Sequence, residues 1–539
     1  MVFTYLGVPG ARDLNSPSQT QGEPLMKFTQ KNPFQKLKLL SLAGLTCLVW
    51  FAMVPAFALE ANRPAAGAVG GASRPNIIVI LADDLGNADL GYRGSDIKTP
   101  NIDKLAREGV RMESFHGMPV CTPSRAALMT GRHPMRYGLQ TLVIFPNHTY
   151  GLPTDERTLP QALKEAGYQT SMVGKWHLGH ADKKYWPQNR GFDHFYGNLV
   201  GEVDYFTKMR GGIVDWQRDG KFLQEKTYYL PLIGDEAVKQ IERQDTTKPF
   251  FLYFASLAPH APYQAQKADE DRYAASIKDP TRRTYAAMVT SVDDQVGRIV
   301  SAHEKRGMRE NTLIIFSSDN GGPRSAVIAS GAHSPEERAE SGVIQSSLPA
   351  NNGNLRGGKG SLYEGGVRVP TIFNWPGTLK PAVISEPAHM VDVMPTALAL
   401  AGAAPNPASK PFDGKNLLPM LSEGKPSGHD DILINVEAFR GAIIKGQWKL
   451  VKIALLPGKI ELFDLKADPG EKNNVAEQNP EVVRDLEARL LAYAKQQKMS
   501  EWLKAQPDYL GAQGKTILDP DFDIDDGGLP QQKPVFPKP

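Results

Sequence analysis

The chain has 539 residues, with 62 Lys and Arg against 59 Asp and Glu and a net charge of +3. That balance gives no electrostatic case for a nucleic-acid partner, and the 41% hydrophobic and 22% charged fractions exclude general disorder. The length suffices for one large core with a smaller appended domain.

The first element in chain order is a leader. Met26 and Lys27, then Lys31, Lys36 and Lys38, precede an apolar stretch over residues 39–57, which runs into Ala56-Phe57-Ala58. A basic n-region, an apolar h-region and small residues at an Ala-x-Ala site predict a Sec-type signal peptide cleaved after Ala58, with Met26 as the expected start. The expected location is periplasmic or extracellular, with no stable membrane insertion after cleavage. An uncleaved anchor is the alternative, and Gly44, Thr46 and Pro55 interrupt the stretch it would need. The Ala- and Gly-rich residues 59–74 read as a linker.

Residues 76–82 form a continuous apolar run rich in β-branched side chains, the pattern of a strand buried on both faces, and stop at Asp83-Asp84. A helix is expected over 101–108. Cys121 follows, the single cysteine left once Cys47 leaves with the leader, at the head of Cys121-Thr122-Pro123-Ser124-Arg125. It has no internal disulfide partner, so its retention in an exported chain points to burial or chemistry. If Pro123 opens a helix, Arg125 lies one turn from Cys121.

A helix over 159–165 and a strand over 168–173 lead into Gly174-Lys175-Trp176-His177, where an extended chain would turn Lys175 and His177 the same way. The apolar run 250–255 leads to Pro259-His260, a helix is expected over 283–305, and the run 312–318 stops at Asp319-Asn320-Gly321-Gly322. Lys359 sits among glycines, and Arg368 is expected to pair with Glu364. Strands alternating with helices predict an α/β class with a mostly parallel sheet, whose ligands sit at the carboxyl ends of the strands. Two oxygen-bearing pairs at strand ends, Asp83 with Asp84 and Asp319 with Asn320, suit a hard divalent cation, Ca²⁺ or else Mg²⁺, and make a poor zinc site. Beyond residue 425, strands are expected over 442–450 and 460–465, with an amphipathic helix over 480–495 carrying Val482, Leu486, Leu490 and Leu491 on one face. The organisation is thus a catalytic domain over 75–425, a C-terminal subdomain over 426–505 and a surface-lying or disordered tail over 506–539.

The run from Cys121 through Leu128, Thr130 and Gly131 resembles the signature of the type I sulfatases, and the resemblance extends from Asn76 to about Ala476. Gly191-Phe192-Asp193-His194 and Asp204-Tyr205 look most like arylsulfatase B and its relatives, which act on the 4-sulfate of N-acetylgalactosamine. The resemblance implies an alkaline-phosphatase-like fold and a formylglycine nucleophile made from Cys121 by a formylglycine-generating or anaerobic maturation enzyme. It further implies metal ligation by Asp83, Asp84, Cys121, Asp319 and Asn320, with Arg125 holding the nucleophile and Lys175 and Lys359 binding sulfate. One hydroxyl of the hydrated aldehyde would attack sulfur while His260 or Lys359 protonates the departing alcohol. The second would lose its proton to His177 and expel sulfate. The implied activity is hydrolysis of an aryl sulfate or sulfated carbohydrate. Two rivals are a phosphonate monoester or phosphodiester hydrolase on the same scaffold and a non-catalytic binder of sulfated glycans.

Overall fold

The computed structural model describes residues 74–324, 348–403, 409–454, 456–505 and 533–537. The expected leader, the linker up to residue 73, and most of the tail lie outside them. No helix among the described residues is long and apolar enough to cross a membrane.

The run Asn76–Ala82 is the centre of a ten-stranded sheet. It pairs in parallel with Phe250–Ala255 on one side and Thr312–Ser318 on the other, and Gln169–Lys175 and His194–Asn198 continue the parallel part. Beyond these the direction reverses, Thr371–Asn374 pairing antiparallel with Thr312–Ser318 and Gln217–Arg218 antiparallel with His194–Asn198. Alternation divides the central strand between two cores. Ile77, Val79 and Leu81 join the cluster containing Ala126 and Leu128 of the helix Cys121–Thr130. Ile78, Ile80 and Ala82 join the cluster containing Ile233 and Val289 of the helices Tyr229–Arg243 and Pro280–Lys305. A strand apolar at every position is what two covered faces require.

Local signals place most element ends well. The helix Leu159–Glu165 has the expected bounds and a capping box between Thr158 and Gln161. The long helix begins at Pro280, three residues before the expected start, because Asp279 caps it by accepting from the Arg282 amide.

The C-terminal sheet is antiparallel, in the order Ile432–Val436, Arg440–Lys445, Trp448–Ile453 and Lys459–Asp464. The expected single strand over 442–450 is two strands: Gly446, at φ 58°, turns the chain into a hairpin. The helix Pro480–Ala494 packs Leu486 and Leu490 against Leu433, Ile443 and Leu450. Leu491, expected on that face, is instead 46% exposed, since the buried stripe follows the spacing of four from Leu486 to Leu490. The other face of the sheet meets Leu362 and Val367 of the large domain. At this junction the fully buried Lys449 bridges Glu364 at 2.8 Å and Glu471 at 2.9 Å, and Glu364 also holds Arg368 at 2.6 Å, as expected, and His116 at 3.2 Å.

Candidate active site

Register brings the polar strand ends together. Ala82 is paired with Ser318 and Leu81 with Ala255, which is paired with Gly174, so Asp83 and Asp319 leave adjacent strands at one level and Lys175, two strands away from Asp83, lies one residue short of it. The ladder runs one step further, with the Asp319 amide donating to Ala82 O at 3.1 Å and the Asp83 amide to Ala258 O at 3.2 Å. Of the ten residues expected to form the site nine are buried and Lys359 is partly buried; ion pairs and hydrogen bonds join nine of them into one cluster, and His177 is tied instead to Thr122 and Ile144.

The carboxylates are held by cations. Arg125 donates to Asp319 Oδ2 through Nε and Nη2 at 3.1 and 2.9 Å, to Lys175 O through Nη1 at 3.1 Å, and lies 3.3 Å from Asp83 Oδ2. Its fork thus spans two carboxylates, one of them the Asp83 that also contacts Cys121 Sγ. The helix starts at Cys121 rather than at Pro123, which occupies its third position. Lys175 Nζ is paired with Asp83, and Lys359 Nζ donates to Asp84 Oδ2 at 2.9 Å. Burial and the neighbouring Asp319 carboxylate push Asp83 up to about 7.

Four donor groups, Asp83, Asp84, Cys121 and His260, have ligand atoms within 4.8 Å of one another. Asn320 adds a further feature. Its Nδ2 donates to Asp84 Oδ1 at 2.7 Å, which turns its Oδ1 away, buried and without a partner. Clustered carboxylates and an orphaned amide oxygen fit a hard divalent cation. His260 is the member that sequence reasoning did not count among the metal donors, and its Nε2 is already occupied by Lys359.

The two imidazoles are in defined states. His177 has a left-handed backbone, φ 58°, so the chain is not extended there and the argument that it faces the same way as Lys175 does not hold. Its Nε2–H donates to Ile144 O at 3.1 Å, which leaves Nδ1 as a bare acceptor, buried without a partner. Burial, then Lys175 and Arg125, hold its pKa well below the usual range. His260 donates Nδ1–H to Ala261 O at 2.6 Å and accepts at Nε2 from Lys359 Nζ at 3.0 Å. Lys359 is therefore the proton-bearing member of that pair.

Cys121 begins its helix, 1% exposed, with Sγ 3.2 Å from Asp83 Oδ1. Burial, with Asp319 and Asp83 adding to it, raises the thiol pKa well above its normal value, so the unmodified side chain is a poor nucleophile. Three residues escaped the sequence reading. Thr122 donates to His177 O and accepts from the Ile144 amide, both at 3.1 Å. Glu202 lies 3.9 Å from His260 Nδ1. Ile144 acts through its backbone. Thr122 stood inside the cysteine motif and was legible; the other two belong to loops without pattern.

A family profile described as Sulfatase matches residues 75–403, and one described as N-sulphoglucosamine sulphohydrolase, C-terminal, matches 358–496. The chain belongs to the sulfatase family. Arylsulfatase J of Mus musculus is 35% identical over 490 residues, covering 80% of this chain and 78% of its own. N-acetylgalactosamine-6-sulfatase of Homo sapiens is 35% identical over 381 residues, covering 67% and 68%. Among solved structures, that of Ps i-CgsB in complex with k-i-k-neocarrahexaose has a TM-score of 0.71 at 33% identity, covering 82% of this chain and 98% of that one. This sulfatase is accordingly a sulfuric ester hydrolase, and its site is to be understood as one that cleaves sulfate esters.

Proposed function

We propose that this sulfatase hydrolyses sulfate esters of carbohydrates with a formylglycine made from Cys121 and a divalent cation, Ca²⁺ in the first instance. The observation that carries the reading is the carboxylate cluster around Cys121, with Sγ 3.2 Å from Asp83 Oδ1, Asp84 in the same group of donor atoms, and the partnerless Asn320 Oδ1 on the amide that holds Asp84. A thiol whose pKa is pushed up by burial lacks the reactivity the reaction needs, and an aldehyde hydrate supplies an oxygen nucleophile instead. Asp83, Asp84, Asp319 and Asn320 would hold the cation, which when bound offsets their negative charge and acidifies a neighbouring hydroxyl.

The chain's own groups then divide the work. Lys175 and Lys359, each engaged with a carboxylate in this structure, would supply positive charge to the sulfate oxygens. Lys359 Nζ carries the proton delivered to the leaving oxygen, with His260 Nε2 as the acceptor beside it. His177 accepts a proton at Nδ1. Arg125 keeps Asp83 and Asp319 in place. A sugar sulfate is supported by the N-acetylgalactosamine-6-sulfatase relative and by the oligosaccharide in the Ps i-CgsB structure. The leader pattern supports export.

The deciding experiment is mass spectrometry of the tryptic peptide 112–125 from protein made in its native host, combined with sulfate release from a panel of sulfated sugars, an aryl sulfate and a phosphodiester. Formylglycine in the peptide and preferential release of sulfate from a sugar are expected. An unmodified thiol in a protein that turns over sulfate esters would overturn the nucleophile.

A further inference from the structure

Beyond residue 496, where the family match ends, two described segments, 498–505 and 533–537, lie close to the site. Residues 498–505 run along one side of the loop 138–148. The Lys498 amide donates to Met135 O at 2.8 Å, the Glu501 amide to Gly138 O at 2.9 Å, and Gln140 Nε2 to Lys498 O at 2.9 Å. Trp502, 2% exposed, packs in one cluster with Cys121, Leu142, Val143 and Phe145. Residues 533–537 lie against the same loop. The Val535 amide donates to Pro146 O at 3.0 Å, and His180 Nε2 donates to that same oxygen at 2.8 Å, so both its lone pairs are used. The Phe536 ring stands edge-on to His180 at 6.0 Å and to Phe222 at 5.1 Å between centroids.

The loop so held is the one that orients His177. Its Ile144 carbonyl fixes the imidazole tautomer, and its Ile144 amide is joined through Thr122 to the His177 carbonyl. We propose that the segments 498–505 and 533–537 form a C-terminal clamp on the loop 138–148, with Trp502 and Phe536 as positioning residues for His177. The inference rests on the role given to His177 above. Misplacing a proton acceptor by a fraction of an ångström lowers turnover while leaving ground-state binding largely untouched.

Two variants test it, Phe536→Ala and a chain ending at Gln532, each compared with the full chain by hydrogen exchange over 138–148 and by turnover of an aryl sulfate. Exchange in the loop should quicken, kcat should fall roughly tenfold or more with KM within about twofold, and the melting temperature should hold to about 2 °C. Phe536→Tyr, and excess synthetic peptide 531–539 added to the truncated chain, should restore kcat. Unchanged exchange, or a kcat loss that only tracks the folded fraction, would overturn the clamp. Should the full chain turn over no sulfate ester, the role of His177 fails, while the exchange data still decide whether the clamp exists.

Discussion

A methyl group built on Gly201 would lie 2.5 Å from Cε1 and 2.6 Å from Nε2 of His177. No side chain fits there unless the imidazole moves, so glycine at 201 is a condition of the His177 orientation. Gly201→Ala should reduce kcat roughly tenfold to a hundredfold with little change in melting temperature, measured by steady-state kinetics and a thermal scan. Full activity would mean that the imidazole position is not critical.

The turn carrying Gly201 is pinned by Asp215. Its Oδ2 accepts from the amides of Leu199 and Val200 at 2.8 and 2.7 Å, and its Oδ1 is buried without a partner. Burial raises this carboxyl to about 7. An acid raised in the folded state binds its proton where the unfolded chain has already lost it, so stability falls as pH rises from about 4 to 7 and stays low above. Asp215→Asn keeps the accepting oxygen and removes the charge. The variant should be more stable than the parent at pH 8, by up to roughly 2–4 kcal/mol, with the gap shrinking towards pH 4 in denaturant titrations.

Arg125 spans two carboxylates with a planar fork that lysine cannot reproduce. Arg125→Lys should cost roughly 3–5 kcal/mol of stability by leaving a buried carboxylate without its partner. It should also weaken binding of the proposed Ca²⁺, measured by calorimetry, because Asp83 and Asp319 lose their common tether. Unaltered calcium affinity would separate Arg125 from the metal ligands.

Lys449 is the cation at the junction of the two sheets, fully buried between Glu364 and Glu471. Lys449→Met should lower unfolding free energy by roughly 3–5 kcal/mol in urea titrations, and Lys449→Arg should recover part of it. The loop carrying Lys359 is tied to the same subdomain through Arg440 Nη1, which donates to Gly360 O at 2.7 Å, so activity should fall with the junction.

The large sheet was legible because three of its strands, Asn76–Ala82, Phe250–Ala255 and Thr312–Ser318, carry long apolar runs, and two of them end abruptly in polar pairs, features that covered faces and a shared rim demand. Asp83, Asp84, Asp319 and Asn320 stood out at those endings as a set suited to a hard cation, and their assignment as metal ligands rested on the family resemblance. Cys121, Arg125, Lys175, His177, His260 and Lys359 needed the family resemblance, since each alone is an ordinary residue type in a loop or helix. What escaped was tertiary. Nothing in the local pattern says that Arg125 reaches carboxylates 42 and 194 positions away. The left-handed turn at His177 was hidden because histidine carries no conformational signature of the kind glycine does. The hairpin at Gly446 was missed because apolar residues continue on both sides of it.

The 1% exposure of Cys121 bears on when the enzyme can be made active. Once Leu142, Val143, Phe145 and Trp502 have closed over the helix start, the thiol is out of reach of any other macromolecule. The conversion proposed above, of Cys121 to an aldehyde by a maturation enzyme, would therefore have to run ahead of folding, as a race between two rates. The active fraction of a preparation is then set at synthesis, and slower folding, by cooler growth for example, should raise it where later treatment of the finished protein cannot.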